Sequence, residues 1–199
     1  MNTAVLNELA ALLKRDDQTR QRLLAEGSLY GRYDDAMQAV HRENAEALDA
    51  IAERHGWPGL SLVGLEGSRM AWRIAQHANV TPGLQRKFLA LMRAAADKGD
   101  VPSKQPAFLA DRVLFNEGKP QIHGVVLDWT ADGELSCDLA DPAGVDRRRA
   151  VLGLPPFQED RQRQQEAVMA EGGRPPADFA AYRDRSRAWA EAVGWRPAR

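Results

Sequence analysis

With 199 residues, 44% hydrophobic and 28% charged, the chain has enough apolar material for one sizeable core, or one domain with an appendage. Twenty-seven Lys and Arg against 28 Asp and Glu leave a net charge of −1, so the polybasic footprint of a nucleic-acid binder is missing. No apolar run approaches the roughly 18 residues of a membrane span, the N-terminus lacks a basic-then-apolar signal layout, and the single Cys137 excludes an intramolecular disulfide and any multi-cysteine metal site.

The first third reads as helix. Val5, Leu6, Leu9, Leu12 and Leu13 recur three and four apart and so share one face. The pattern is interrupted by the charged stretch Lys14–Gln18, resumes at Leu23 and Leu24, and stops at Gly27-Ser28. A longer helix is expected from about Asp34 to His55, with Met37, Val40, Ala47, Leu48 and Ile51 inward and His41, Arg42, Glu43, Asn44 and Glu46 on the other faces. Gly56-Trp57-Pro58-Gly59 ends it, since glycine tolerates left-handed dihedrals and proline disfavours helix in the residue before it.

A loop around Leu60–Gly67 leads into a helix from Ser68 to Ala78 with Met70, Ala71, Ile74 and Ala75 inward. Thr81-Pro82 restarts the chain as N-cap and first helical residue of a segment carrying Leu84, Phe88, Leu91 and Met92. Pro106–Phe115 gives one more short helix. The period then changes: Gln121–Trp129 is β-branched and partly alternating, Thr130-Ala131-Asp132-Gly133 is a hairpin turn, and Glu134–Leu139 returns as partner strand. A lone hairpin is marginal, so it must pack on helices. Asp141-Pro142 opens a short helix through Arg149, broken at Gly153-Leu154-Pro155-Pro156. The fold expected is mainly α: an irregular multi-helix domain over 1–157 with a small antiparallel hairpin near 121–139, followed by a C-terminal helical appendage, 158–199, with Phe179, Tyr182, Trp189 and Val193 on its last amphipathic segment.

Four histidines are present, His41, His55, His77 and His123, and no pair has the four-residue spacing that sets two ligands on one helix face. A metal site would have to be assembled from separate elements, for instance His41, His77 and His123 with Asp111; the spacing does not demand one, and no metal ligand or cofactor is assigned. His77 follows Ile74 by three and falls at the edge of an inward face near a helix end, as a boundary histidine or as an acid–base group. Asp111-Arg112 is embedded in the apolar run Phe108–Phe115, where burial requires counter-charges such as Arg20 for the acid and Asp17 or a bound anion for the base. In a strand, Gln121 and His123 would project to one face beside Gly124. Gly64-x-x-Gly67-Ser68 reads as a plain loop with Ser68 as N-cap rather than an anion cradle, and Cys137 as a small core residue.

In order along the chain stand Asp17-Gln18-Thr19-Arg20, Asn44, Gly56-Trp57-Pro58 with Val63-Gly64, Gln76-His77, Gln85, Ala110-Asp111-Arg112, Gln121-x-x-Gly124, and Asp141-Pro142-x-x-Val145-Asp146-x-x-Arg149 running into Leu152-Gly153-Leu154-Pro155-Pro156. Over roughly residues 5–160 this order resembles a family of bacterial proteins known only as a domain of unknown function. The resemblance implies a mostly helical fold with a small β element and supplies no reaction. The family's usual Gln-x-Tyr-Gly-Thr-Gln reads here Gln121-Ile122-His123-Gly124-Val125-Val126, with His123 in place of the tyrosine and two valines in place of Thr-Gln.

Two functions are compatible with these residues. In the first, a cytoplasmic enzyme or ligand-binding protein has a pocket with His77, Asp111 and His123 as catalytic groups and Arg20, Asn44, Arg112 and Gln121 as substrate-binding groups, acting on an anionic small molecule by hydrolysis or group transfer. In the second, the same residues form a structural network, and the segment after Gln158 mediates association into a homo-oligomer. Neither expects a nucleic-acid or membrane partner.

Overall fold

The computed structural model describes residues 1–30 and 33–198. Among these, no helix is long and apolar enough to cross a membrane. The fold is mainly α with one two-stranded antiparallel sheet packed against helices, and it forms two compact units, 1–109 and 110–199, divided within the fifth helix.

Unit 1 begins with α1 (Thr3–Ala25), capped by Asn2, whose side chain accepts from Val5 N–H. The charged stretch does not interrupt it. Lys14, Arg15 and Gln18 face solvent while Leu9, Leu12, Leu13 and Leu23 stay buried on the opposite side, and each such leucine contributes about 1.5–3 kcal/mol. In α2 (Asp35–His55), Asp34 caps the start and Gly56, at φ +75°, closes the end with its N–H on Ala52 O. The buried stripe of α2 includes His41 and Asn44 beside Met37, Ala45, Leu48 and Ile51, which corrects the expectation that both lie on its polar faces.

The expected loop at 60–67 is instead the first part of α3 (Leu60–His77), bent at Gly64, whose φ of +70° no other residue would adopt comfortably. Asp100, about forty residues on, makes that early start possible. Its backbone carbonyl accepts from Leu60 N–H and its carboxylate from Ser61 N–H, satisfying donors that a helix start leaves open. Ser68 is therefore not an N-cap; it is buried in the helix and donates to Gln105. A 3₁₀ turn (Ala78–Val80) joins α3 to α4 (Pro82–Ala96), which has Pro82 at its first position as expected. The Thr81 side chain, however, donates back to Ala78 O instead of capping. Helices α1, α2 and α3 pack on one another, with Leu48, Ile51, Ala71, Ile74 and Phe88 in the core.

α5 (Lys104–Glu117) leads into unit 2. The sheet is shorter than expected: β1 (Asp128–Trp129) pairs with β2 (Leu135–Ser136) in register Asp128↔Ser136 and Trp129↔Leu135. Of the turn residues only Gly133 has positive φ, and its N–H bonds Thr130 O, so glycine alone supplies the left-handed step after an ordinary turn. Residues 121–127 are not strand, apart from one bridge between Gln121 and Leu139. α6 (Val145–Val151), α7 (Phe157–Ala170) and α8 (Phe179–Ala192) follow. The Gln165 side chain of α7 accepts from Leu135 N–H, and the Tyr182 hydroxyl of α8 donates to Asp128, so both tail helices brace the hairpin.

Candidate functional site

The periodicity that buries α1's leucines also buries a carboxylate. Asp16 lies seven residues past Leu9, four past Leu12 and three past Leu13, and is 1% exposed. An isolated charge at that depth would cost several kcal/mol, so partners must converge on it. His41 comes from the inner stripe of α2, four residues past Met37, and is 7% exposed. His77 is the last residue of α3, with 32% of its side chain exposed.

His77 Nδ1 lies 2.6 Å from Asp16 Oδ2. His41 Nε2 stands 3.5 Å from the same oxygen, without hydrogen-bond geometry, and is a buried nitrogen with no hydrogen-bond partner. The other His41 nitrogen, Nδ1, is 2.5 Å from the Tyr33 hydroxyl. The two imidazole rings are 4.7 Å apart between centroids. Arg73, one turn before His77, pairs with Asp17 and lies 3.8 Å from Asp16 Oδ1. One donor atom each from Asp16, His41 and His77 thus falls within 4.8 Å of the others, a set able to hold a divalent cation as well as a proton.

Two amides set this geometry. The Asn44 side chain donates to Leu12 O and accepts from Arg15, fixing α2 against α1 one turn from His41 and from Asp16. Gln85, fully buried in α4, donates to Ala75 O and Gln76 O, carbonyls at the end of α3 that its helix cannot satisfy. That ties down the turn carrying His77. The amide oxygen of Gln76, oriented to suit its neighbours, accepts from Trp72 Nε1 and Leu109 N–H.

Burial by itself would raise the pKa of Asp16, but the nearby His41 imidazole and the hydrogen bond and charge of His77 outweigh it and hold the carboxyl well below the usual range. His77 moves down from the ordinary histidine value. Burial is the main cause, with His41 and Arg73 adding to it and Asp16 opposing it. At neutral pH the cluster therefore pairs an ionised carboxylate with an uncharged His77.

The other candidates lie in unit 2, in a loop. Asp111, fully buried, accepts from Ile122 N–H at 2.9 Å and from His123 N–H at 2.8 Å. The Gln121 side chain donates to Val126 O and accepts from Val126 N–H, closing residues 121–126 on themselves the way a strand partner would. This overturns the strand reading and with it the shared face of Gln121 and His123. Gly124 has φ +65°, and a Cβ there would meet Phe157 at 2.6 Å. Arg149, fully buried, donates to the carbonyls of His123, Gly124 and Pro155 and pairs with Asp160 at 2.5 Å. The His123 ring has Nδ1 3.8 Å from Asp111 Oδ1, beyond a hydrogen bond. Its pKa is lowered chiefly by burial, with Asp111 opposing and Arg148 and Arg149 reinforcing. Cys137 is held as a thiol, its pKa pushed up to about 12 by burial first. A shallow groove of about 450 Å³ along α7, lined by Glu134, Gln158, Arg161 and Gln165 among others, includes none of the candidate residues.

Of the seven expected site residues, then, His77, Asn44 and Arg20 belong to unit 1 and Asp111, Arg112, Gln121 and His123 to unit 2. Arg20 and Arg112 are half-buried. Asp16 stands in a charged stretch of the sequence and His41 among polar neighbours, yet both are buried on their helices. Both occupy an apolar stripe at helical spacing, and that position was the available signal.

These features define a mainly α protein with a buried Asp–His–His cluster on three helices of its first unit. The family model of DUF6624, described as a family of unknown function, matches residues 4–171, and the chain belongs to that family. The match runs to the end of α7 and leaves α8 outside it. No curated protein and no solved structure matches the chain.

Proposed function

We propose that this protein is an enzyme that removes a proton from a nucleophile to drive hydrolysis or group transfer on an anionic small molecule, with Asp16, His41 and His77 as its reactive centre. The observation that carries this reading is the buried Asp16 carboxylate held 2.6 Å from the partly exposed His77 imidazole. A carboxylate fixed behind an imidazole orients the ring and stabilises the charge it acquires on taking a proton. Arg73 beside the cluster, and Arg20 one turn past Asp16 on α1, are the guanidinium groups suited to an anionic substrate. Asn44 serves as a positioning residue. Asp111, Gln121 and His123 are left to the loop they build.

Chromogenic phosphomonoesters, phosphodiesters and carboxylate esters assayed against the full chain test the proposal. D16N and H77A should each lower the rate by about 10²–10⁴-fold, the usual contribution of a positioned acid–base group, with H123A within about twofold of wild type. Full activity in both D16N and H77A removes the assignment.

A further inference from the structure

We infer that Asp16, His41 and His77 bind one divalent transition-metal ion of the zinc–iron class. The inference goes beyond the proposed function, and the ion's binding does not rest on that reading: with Nδ1 on the ion and the proton on Nε2, His77 has no lone pair for the base role, and a bound ion would instead activate the nucleophile as a Lewis acid. Three features of the cluster support it.

The first is the donor set. Two imidazole nitrogens and one carboxylate oxygen from three different helices converge within 4.8 Å. Two histidines and one carboxylate, leaving further positions open, suit zinc or ferrous iron; magnesium and calcium prefer all-oxygen sites. In a tetrahedral zinc site with bonds near 2.0–2.1 Å, ligand atoms sit about 3.3 Å apart. The 3.5 Å between His41 Nε2 and Asp16 Oδ2 already matches that spacing. Only the 2.6 Å pair of His77 Nδ1 and Asp16 Oδ2 has to open, by about 0.7 Å on the same bond lengths, at the solvent-facing edge of the cluster.

The second is His41 Nε2. It is buried, points at the carboxylate, and has no hydrogen-bond partner. Buried polar atoms without protein partners are rare, and the role of a metal ligand is one of the few explanations for them. Its ring partner Nδ1 faces the Tyr33 hydroxyl at 2.5 Å. With Nδ1–H donating to Tyr33, the Nε2 lone pair is directed at the cluster, the arrangement that orients a metal-bound histidine.

The third is charge. Asp16 places a carboxylate at the centre of the cluster while Asp17 engages Arg73, and His77 closes the C-terminal, negatively polarised end of α3. A dication is favoured there. On binding, His77 Nδ1 gives up its proton, which solvent returns to Nε2, so the ring remains neutral while Nδ1 becomes a ligand.

The test uses the full chain, dialysed against chelator and then supplied with Zn²⁺ or Co²⁺ alone. Elemental analysis should give one ion per chain, and X-ray absorption of the zinc form should report two imidazoles. D16N and H41A should each weaken Zn²⁺ binding by at least about 100-fold and Y33F by about 10-fold, as loss of a ligand or of its orienting partner does, whereas H55A and H123A should bind as wild type. No retained ion, or D16N and H41A binding as wild type, overturns the inference. Should a variant fail to fold by circular dichroism, the wild-type absorption spectrum decides, and fewer than two imidazoles overturns it. Zn²⁺ bound without turnover of any ester keeps the metal site and removes the enzymatic reading; turnover by stripped protein that binds no Zn²⁺ does the reverse.

Discussion

Each unit buries an aspartate beside a histidine, and the two pairs do different things. Asp111 has both oxygens occupied by backbone N–H groups, those of Ile122 and His123, and the His123 backbone carbonyl is held in turn by Arg149. Acid and base there meet through the main chain, and their product is a loop. Among the described residues, no backbone donor bonds the Asp16 carboxylate; its partners are the side chains of His41, His77 and Arg73. A carboxylate whose two oxygens are each held by a fixed backbone N–H is committed to the main chain, whereas one facing imidazole side chains can exchange protons or ligands with them. Proximity of Asp and His is therefore a poor guide to a site until the rest of the carboxylate's coordination is known.

The contrast can be broken at its strongest point first. Replacing Arg149 by methionine leaves Asp160 and three carbonyls without their shared donor, and unfolding in urea should show a loss of about 3–5 kcal/mol, the range for breaking a buried pair. A loss under about 1 kcal/mol would mean that water replaces the guanidinium and that the loop is not built around it. Next in size, D111N offers one acceptor oxygen where two N–H groups need one each, and should cost about 1–3 kcal/mol. D16N should cost less than D111N in the same experiment, because an amide can still bond His77, and should lose activity instead. Equal destabilisation by the two variants would erase the distinction drawn between the units.

The smallest effect is a pH dependence in unit 2. Burial tends to raise the pKa of Asp160, but the hydrogen bond and charge of Arg149, with Arg163 behind it, bring it below the usual carboxylate value. A folded pKa below the unfolded one means that Asp160 contributes its stability above the unfolded value, and the contribution is lost as pH falls through the folded value. Urea midpoints taken from neutral into acid should fall for wild type, and R149M should show a shallower decline.

Local rules made much of this fold legible. Gly56 ends α2 and Pro82 opens α4 because backbone dihedral limits act within a few residues. They failed where a distant group intervened: Asp100 starts α3 eight residues before Ser68, and the Gln121 amide takes the place of a strand partner, turning a β-branched run into a loop. The candidate site was half legible. His77 was singled out for its boundary position, while Asp16 was hidden in a charged run although its spacing from Leu9, Leu12 and Leu13 sets it on the buried face.

By itself, then, the sequence determined the helices, the position of the hairpin, and the faces that turn inward, because a 3.6-residue period and the dihedral preferences of glycine and proline are properties of short segments. Only the tertiary structure decided that Asp16 of α1 meets His41 of α2 and His77 of α3, and that Asp111 meets backbone. Burying a charge requires a partner, but the requirement is met by whichever group the packing of other helices brings near, and that choice is not written in the spacing of any one of them.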